Sequence, residues 1–380
     1  MPPTPRLTRR AFLRLAAGLA GAPFLQACAR LAQPPPATTA TQPSTPLPSK
    51  SPTAALTSST PTNPSATPTL APGPAQAGDM ARLALVKTGD RAEGVRRALA
   101  LLGDQPALQG RRILLKPNFN SADPAPGSTH PDILRALVQG LWERGAAAIT
   151  LADRSGMGDT RRVMEQLGAF EMAGELGFQA LVLDELGEED WVPVQPEGSH
   201  WQRGFCLPRP LLEAEAVVQT CCLKTHRFGG HFTLSLKNSV GLAAKAVPGD
   251  SYNYMNELHG SPHQRRMIAE INAAYAPALV VMDGVEAFVD GGPDVGRRVS
   301  SEVVLAGSDR VALDAVGVAI LRYFGTTPQV SRGPVFQQEQ IARAVELGLG
   351  VDGPQKIELL TDDQASAAYA REILEVLRTG

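Results

Sequence analysis

Ile113-Leu114-Leu115-Lys116-Pro117-Asn118 is a short apolar run that stops at a lysine, a proline and an asparagine. Pro131 to Trp142 follows with apolar residues at helical spacing, then Ala147 to Leu151 is apolar again and leads into Asp153. A continuous apolar run bounded by turn residues reads as a buried strand, and apolar positions three and four apart read as an amphipathic helix. Strand, helix and strand joined by a crossover of this length lie parallel in one sheet. Upstream, Leu83 to Val86 and Ala92 to Leu102 repeat the scheme as strand and helix. Downstream, Asp159 to Leu167 reads as a helix and Leu181 to Leu183 as a strand. Further strands are expected at Ala216 to Thr220, Ala278 to Met282 and Glu302 to Leu305. Helices are expected near His263 to Tyr275, Arg310 to Tyr323, Gln337 to Leu347 and Asp363 to Leu377. The expected fold is α/β, a mostly parallel sheet flanked by helices. The irregular stretch from Gly187 to Pro210 breaks the alternation and leaves a division into two lobes open.

The 380 residues fall into regions of different composition. Sixteen of 32 prolines lie in the first 78 residues, and every acidic residue lies beyond them. Residues 79–380 hold 30 basic and 38 acidic residues, a formal charge of −8. Phosphate backbones and anionic lipid attract basic surfaces, so nucleic acid is not an expected partner. Collagen, coiled coil and a wholly disordered chain are excluded, and the body is long enough for one large or two moderate cores.

Residues 1–28 read as an export address. Thr8-Arg9-Arg10-Ala11-Phe12-Leu13-Arg14 precedes an uncharged 11-residue stretch, Leu15 to Leu25. A bilayer span needs about 20 apolar residues, so this is the h-region of a signal. The paired arginines resemble a twin-arginine signal. Phe24-Leu25-Gln26-Ala27-Cys28 resembles a lipoprotein box, which would make Cys28 the lipidated first residue and hold the protein to the outer face of a membrane by acyl chains only. A plain signal, with a soluble secreted or periplasmic product, is the alternative. The expected partners of this segment are the twin-arginine translocase and lipoprotein-processing enzymes. Residues 29–78 form the tether. Of the 46 residues 33–78, 12 are proline and none is aromatic, so the segment has nothing to bury and reaches up to roughly 140 Å at about 3.1 Å per residue. Residues 79–380 are the α/β domain.

In parallel sheets, ligands bind at the carboxyl ends of strands. Four apolar runs end in polar groups there: Lys116-Pro117-Asn118, Asp153-Arg154-Ser155-Gly156, Lys224-Thr225-His226 and Asp283-Gly284. The richest segment is Lys224 to Asn238, where His226 and His231 flank Gly229-Gly230 and Thr233 stands where it could cap a helix containing Lys237 and Asn238. A glycine turn opening a helix is an anion-binding device. Lys116, Lys224 and Lys237 would add positive charge, and a lysine lowered by burial and neighbouring lysines could do acid/base work. Asp153, Asp283 and His226 are candidate acid/base groups or ligands of a divalent metal, with His231 a second imidazole. The blander reading of each is a solvated turn or a hydrogen-bonded structural histidine. His259 and His263 have metal-like spacing, but Pro262 between them favours a helix beginning at His263. Gly291 and Gly292 either let backbone approach a ligand or form a turn. Asp309 reads as a helix cap, and Asp314, placed in the helix body, as a binding residue.

Lys116-Pro117-Asn118, Thr129-His130-Pro131, Asp153, Lys224-Thr225-His226, Thr233 to Asn238, Asp283-Gly284, Gly291-Gly292-Pro293 and Asp309 to Asp314 together resemble the family known as domain of unknown function 362. The resemblance runs from about residue 83 to residue 360. It implies an α/β fold, adds Asn118, His130 and Asn238 to the binding candidates, and implies association, in many relatives, with iron-sulfur chemistry through an appended ferredoxin-like segment. Here the body offers Cys206, Cys221 and Cys222 without Cys-x-x-Cys spacing, so no iron-sulfur cluster is expected to be ligated by this chain alone. Buried thiols are the default, with a Cys206 disulfide the alternative in an oxidising compartment.

Two functions from different classes fit. One is an exported enzyme acting on a small anionic substrate, with a divalent metal or redox cofactor and a redox partner. The other is a tethered lipoprotein that captures an anion or metal complex without catalysis.

Overall fold

The computed structural model describes residues 80–380. The signal, Cys28 and the tether fall outside the described residues. Eleven strands form: β1 (Ala81–Lys87), β2 (Arg112–Lys116), β3 (Ala148–Asp153), β4 (Gln179–Val182), β5 (Trp191–Val194), β6 (Phe205–Pro208), β7 (Ala216–His226), β8 (His231–Thr233), β9 (Leu279–Gly291), β10 (Gly296–Gly307) and β11 (Ile357–Leu360). Nine make one sheet in the order β11-β1-β10-β9-β7-β2-β3-β4, with β8 pairing the end of β7. Neighbours are parallel except where β10 meets β9 and β1, and where β8 folds back on β7. The α/β sheet read from the sequence is therefore present, and β9–β10 adds a long antiparallel hairpin to it.

Side-chain alternation sorts each strand between two covering layers. Leu83, Leu85, Val280 and Met282 point into one core, while Ala84, Val86, Leu279 and Val281 point into the other. The second core is closed by α1 (Arg91–Leu102) and α2 (Pro131–Glu143), with α3 (Thr160–Gln166) and α4 (Ala169–Leu176) beyond them. The first core is closed by three later helices, introduced below in chain order. Helices α5 (Tyr254–Gly260) and α6 (Gln264–Ile271) precede α7 (Arg310–Tyr323), α8 (Glu339–Glu346) and α9 (Gln364–Thr379). The last three carry Leu313, Val316, Ile320, Ile341 and Ile373 into that core. Helix α7 is buried from Arg310 to Leu321, so it behaves as a core helix and not as an amphipathic surface one.

The stretch that broke the alternation, residues 187–210, contains the two-stranded ribbon β5–β6. Trp191, Phe205 and Leu207 of this ribbon pack with Leu114, Val217 and residues of α5 and α6 in a third cluster. Strand β7 lies in the middle of the sheet, and all 11 of its residues are buried. It pairs with β2 only as far as Gln219, opposite Lys116. The next seven residues run past the end of β2 and carry Lys224 and His226 to the rim where β2 and β3 stop.

Candidate functional site

Strands β2, β3 and β7 each deliver a buried charge to this rim. Lys116, the last residue of β2, is 1 % exposed, and its Nζ lies 2.7 Å from Asp153 Oδ1 at the end of β3. Asp153 also accepts the backbone N–H of Phe119 at 2.8 Å and of Arg154 at 2.6 Å. Burial lowers the Lys116 ammonium and raises the Asp153 carboxyl, and the ion pair opposes both shifts. A buried pair with all its hydrogen bonds made holds its geometry. Gly241 makes room for it, since a Cβ there would lie 2.8 Å from both Asp153 Oδ1 and Lys116 Nζ.

From Lys116 a hydrogen-bond chain crosses the rim. Its Nζ donates to Asn238 Oδ1 at 3.2 Å, Asn118 Nδ2 donates to the same oxygen at 3.3 Å, and Lys224 Nζ donates to Asn118 Oδ1 at 2.8 Å. Lys224 also donates to the Gly127 carbonyl and has no carboxylate partner among the described residues. Burial pushes it down from its ordinary value. Arg154, equally buried, donates from its guanidinium to the Ala243 and Val240 carbonyls at 2.8 and 2.7 Å, and this guanidinium too makes no ion pair among the described residues. Two buried basic groups without an ion-pair partner among the described residues thus stand behind the rim.

Lys237 is different in kind. It lines the cleft with no hydrogen-bond or ion-pair partner among the described residues, and burial, with Lys224 and Arg154 nearby, lowers it to about 7. His226 faces the same space. Its Nδ1 accepts the Gly230 N–H at 3.3 Å, and burial beside Lys237 and Lys224 pushes it well below the ordinary range. The ring is therefore neutral with its proton on Nε2, which remains as a donor. Asn120 Nδ2 and Thr233 Oγ1, both lining the cleft, are buried polar atoms without a partner. Thr233 is only 5 % exposed. Unsatisfied buried polar atoms are costly and uncommon, and here two of them line the recess that Lys237 lines.

The cleft has an inner recess of ≈40 Å³ and an outer chamber of ≈640 Å³ that share Asn120, Arg154, Gly156, His226, Lys237, Val240 and Pro293. Lys245 and His259 line the outer chamber. Asp153 is the one carboxylate among the described lining residues of both parts, and it is taken by Lys116.

Several expected site residues lie elsewhere. Asp283 is not at a strand end, because β9 continues eight residues beyond it; its carboxylate pairs with Arg91 Nε at 2.9 Å and accepts the Val285 N–H. His130 caps α2, its Nδ1 accepting the Asp132 N–H at 3.1 Å. Gly229-Gly230 turns β7 into β8 and opens no helix, and Thr233 is strand. The helix that follows is the short Ser235–Asn238, and Asp314 takes its first amides, accepting Ser235 N–H at 2.8 Å and Leu236 N–H at 3.0 Å. That assigns Asp314 a capping task within the fold, with its carboxyl raised to about 7 by burial, and removes the helix start as an anion site. Gly291 and Gly292 form a turn against β7. Gly292 has φ +62, and a Cβ there would run into the Thr225 carbonyl oxygen.

His231 sits opposite His226 in the hairpin, and the two line a further cavity of ≈330 Å³ with Asp290. No three His, Cys, Asp or Glu side chains converge on a metal position among the described residues. In the rim cleft Lys237, Lys224 and Arg227 raise the positive potential at His226 and would repel a divalent ion, so the rim cleft does not fit one. Cys206, Cys221 and Cys222 are buried free thiols. Adjacent positions on β7 send Cys221 into the first core, while the Cys206 thiol donates to Tyr254 Oη at 3.3 Å. His259 lies within α5, not in a loop, with Nδ1 2.7 Å from the Met255 carbonyl.

The sequence places Arg154 at a strand end without giving it a role, and it does not single out Asn120, Met157, Phe228, Gly241 or Lys245. Asn120 could have been found two residues beyond Asn118 in the same loop. The others come from turns and helices that only the fold brings to the rim.

Residues 113–319 match the family described as Domain of unknown function (DUF362). The chain belongs to the DUF362 family. All of the rim residues from Lys116 to Pro293 lie within the DUF362 match. A curated relative, Thylakoid-associated protein sll1697 of Synechocystis sp., is 27% identical over 218 residues, covering 56% of this chain and 64% of the relative. The DUF362 chain thus spans about 64% of that relative's length. Among solved structures, the lactate racemase apoprotein from Thermoanaerobacterium thermosaccharolyticum matches with a TM-score of 0.39 and 14% identity, over 79% of this chain and 87% of that one.

Proposed function

We propose that this DUF362 protein is an enzyme that binds a small anion in the rim cleft and uses Lys237 as its acid/base group. The observation that carries the reading is Lys237 itself: a partnerless amine lowered to about 7, set beside the buried Lys224 and Arg154, neither of which makes an ion pair among the described residues. Lys224 and Arg154 are committed to neutral oxygens and supply field. Lys237, the His226 ring N–H, Asn120 Nδ2 and Thr233 Oγ1 are free to touch a ligand. An oxyanion there would satisfy all four. A neutral amine beside preorganised positive charge suits removal of a proton next to a carboxylate or phosphate, since the field stabilises the negative charge that develops.

In the same proposal the domain works outside the cytoplasm, exported through the twin-arginine route and held to a membrane by lipidated Cys28 and its tether. The sequence of residues 1–78 supports this part. No described helix is long and apolar enough to cross a membrane.

Titration calorimetry of the full chain with inorganic phosphate and with acetate tests the reading. Saturable binding that is lost in Lys237→Met is expected, and absence of saturable binding to either anion would overturn it. Capture without catalysis is separated by native mass spectrometry of the exported chain: an endogenous ligand returned chemically unchanged after incubation would favour the binding lipoprotein.

A further inference from the structure

We infer that the ligand is an amphipathic anion, a carboxylate or phosphate head carrying an apolar body about the size of one aromatic ring. The inference rests on the cleft being an anion site and adds the body. The two parts of the cleft differ in size and in wall. The inner recess, ≈40 Å³, has room for little more than one or two water-sized groups. The outer chamber, ≈640 Å³, falls among pockets that enclose whole small molecules. A bare phosphate or acetate would leave most of it filled with water.

Its wall indicates what fills the rest. Met157, Phe228, Val240, Met255 and Pro293 line the chamber. Met157 is 40% exposed and Phe228 49% exposed, two of the five large apolar side chains left in water among the described residues. Single exposed apolar residues are ordinary, but two facing one cationic chamber form a patch with a direction. Phe228 is held in place, with the Arg227 guanidinium 4.4 Å from its ring centroid and the His226 ring edge-on at 5.7 Å. A fixed aromatic ring and an adaptable thioether are suited to grip a ring or short acyl chain.

The polar and apolar walls are arranged in sequence along the cleft. Lys237, His226 and Asn120 border both parts, Thr233 belongs to the recess, and Phe228 and Met157 belong to the chamber alone. A head seated at Lys237, with one oxygen toward Thr233, would leave its substituent pointing past Phe228. Lys245 and His259, also lining the chamber, supply a polar wall for a second polar group on that substituent.

Calorimetry on the full chain at pH 7 and fixed ionic strength tests this with four probes: acetate, inorganic phosphate, phenylacetate and phenyl phosphate. The phenyl compounds are expected to bind at least tenfold more tightly than their parent anions. Phe228→Ser and, separately, Met157→Ser should erase most of that gain while leaving affinity for inorganic phosphate unchanged. Equal affinity for phosphate and phenyl phosphate in the unmodified chain overturns the inference and leaves the anion site standing. So does a loss in either variant that is the same for both probes. If none of the four binds, the anion site falls, and the inference with it.

Discussion

Replacing Lys237 by methionine should stabilise the fold, and by an amount that depends on pH in a defined way. An ammonium whose folded value drops from 10.5 to about 7 costs up to roughly 5 kcal/mol at about 1.4 kcal/mol per pH unit. Partial access to cleft water reduces the realised figure to roughly 2–3 kcal/mol. The sign follows from proton counting. Below pH 7 the lysine is charged in both states and the full cost is present. Between pH 7 and 10.5 the folded state has released the proton and the unfolded state has not, so stability rises with pH until the cost is gone. Methionine of similar length carries no such cost. Urea unfolding followed by tryptophan fluorescence is the assay, since Trp191 and Trp201 are buried. Lys237→Met should be more stable than the parent by roughly 2–3 kcal/mol at pH 6, and the difference should shrink as the pH is raised to 9. Saturating phosphate should stabilise the parent at pH 6 and not the variant. A variant no more stable than the parent at pH 6, or a difference constant from pH 6 to pH 9, would refute the account of Lys237.

Other perturbations follow from the same geometry. Lys116→Met or Asp153→Asn alone should lose about 3–5 kcal/mol in urea unfolding, because each leaves a buried charge alone, while Lys116→Met with Asp153→Leu should recover part of the loss. Gly241→Ala should lower stability by about 1–3 kcal/mol in thermal unfolding, as its Cβ would press on the Lys116–Asp153 pair. Asp314, raised to about 7, contributes stability below pH 3.8 that is lost as pH rises through 7, so Asp314→Asn should flatten the stability curve between pH 4 and 7. Independently of that geometry, under the proposed export and lipidation Cys28→Ala should move the protein from the membrane fraction to the soluble one, as cell fractionation would show.

Much of this architecture is legible in the sequence because strand and helix leave different periods. Leu114 and Leu115 stop at Lys116, and β2 stops there too. The reading fails where an apolar run does not end with its strand. Val280-Val281-Met282 leads into Asp283, yet Val285, Ala287, Phe288 and Val289 continue the strand, so Asp283 sits in mid-strand opposite Val304. Its position made it look like a rim residue, and Arg91, 192 residues away, makes it an ion pair. Asp314 shows the converse case. The sequence marks an acid in a buried helix as needing a reason, and the reason is a short helix 79 residues earlier whose first amides lack a partner. Lys116, Asn118, Asp153, Lys224 and His226 do meet, since β2, β3 and β7 run parallel toward one rim, and the antiparallel β8 brings the chain back so that Lys237 and Asn238 join them. Arg154 stands beside Asp153 in the chain, but its lack of an acidic partner depends on the carbonyls of Val240 and Ala243. Phe228 and Met157 belong to turns whose proximity no local pattern encodes.

The central claim is that Lys237 is a free amine held near neutrality by burial and by its basic neighbours, and site-resolved pulse labelling with acetic anhydride measures it directly. Peptide mass spectrometry across pH 6 to 11 should place half-maximal labelling of Lys237 near pH 7, moving upward and slowing when phosphate is present. Half-maximal labelling near pH 10.5, unchanged by phosphate, would contradict the account.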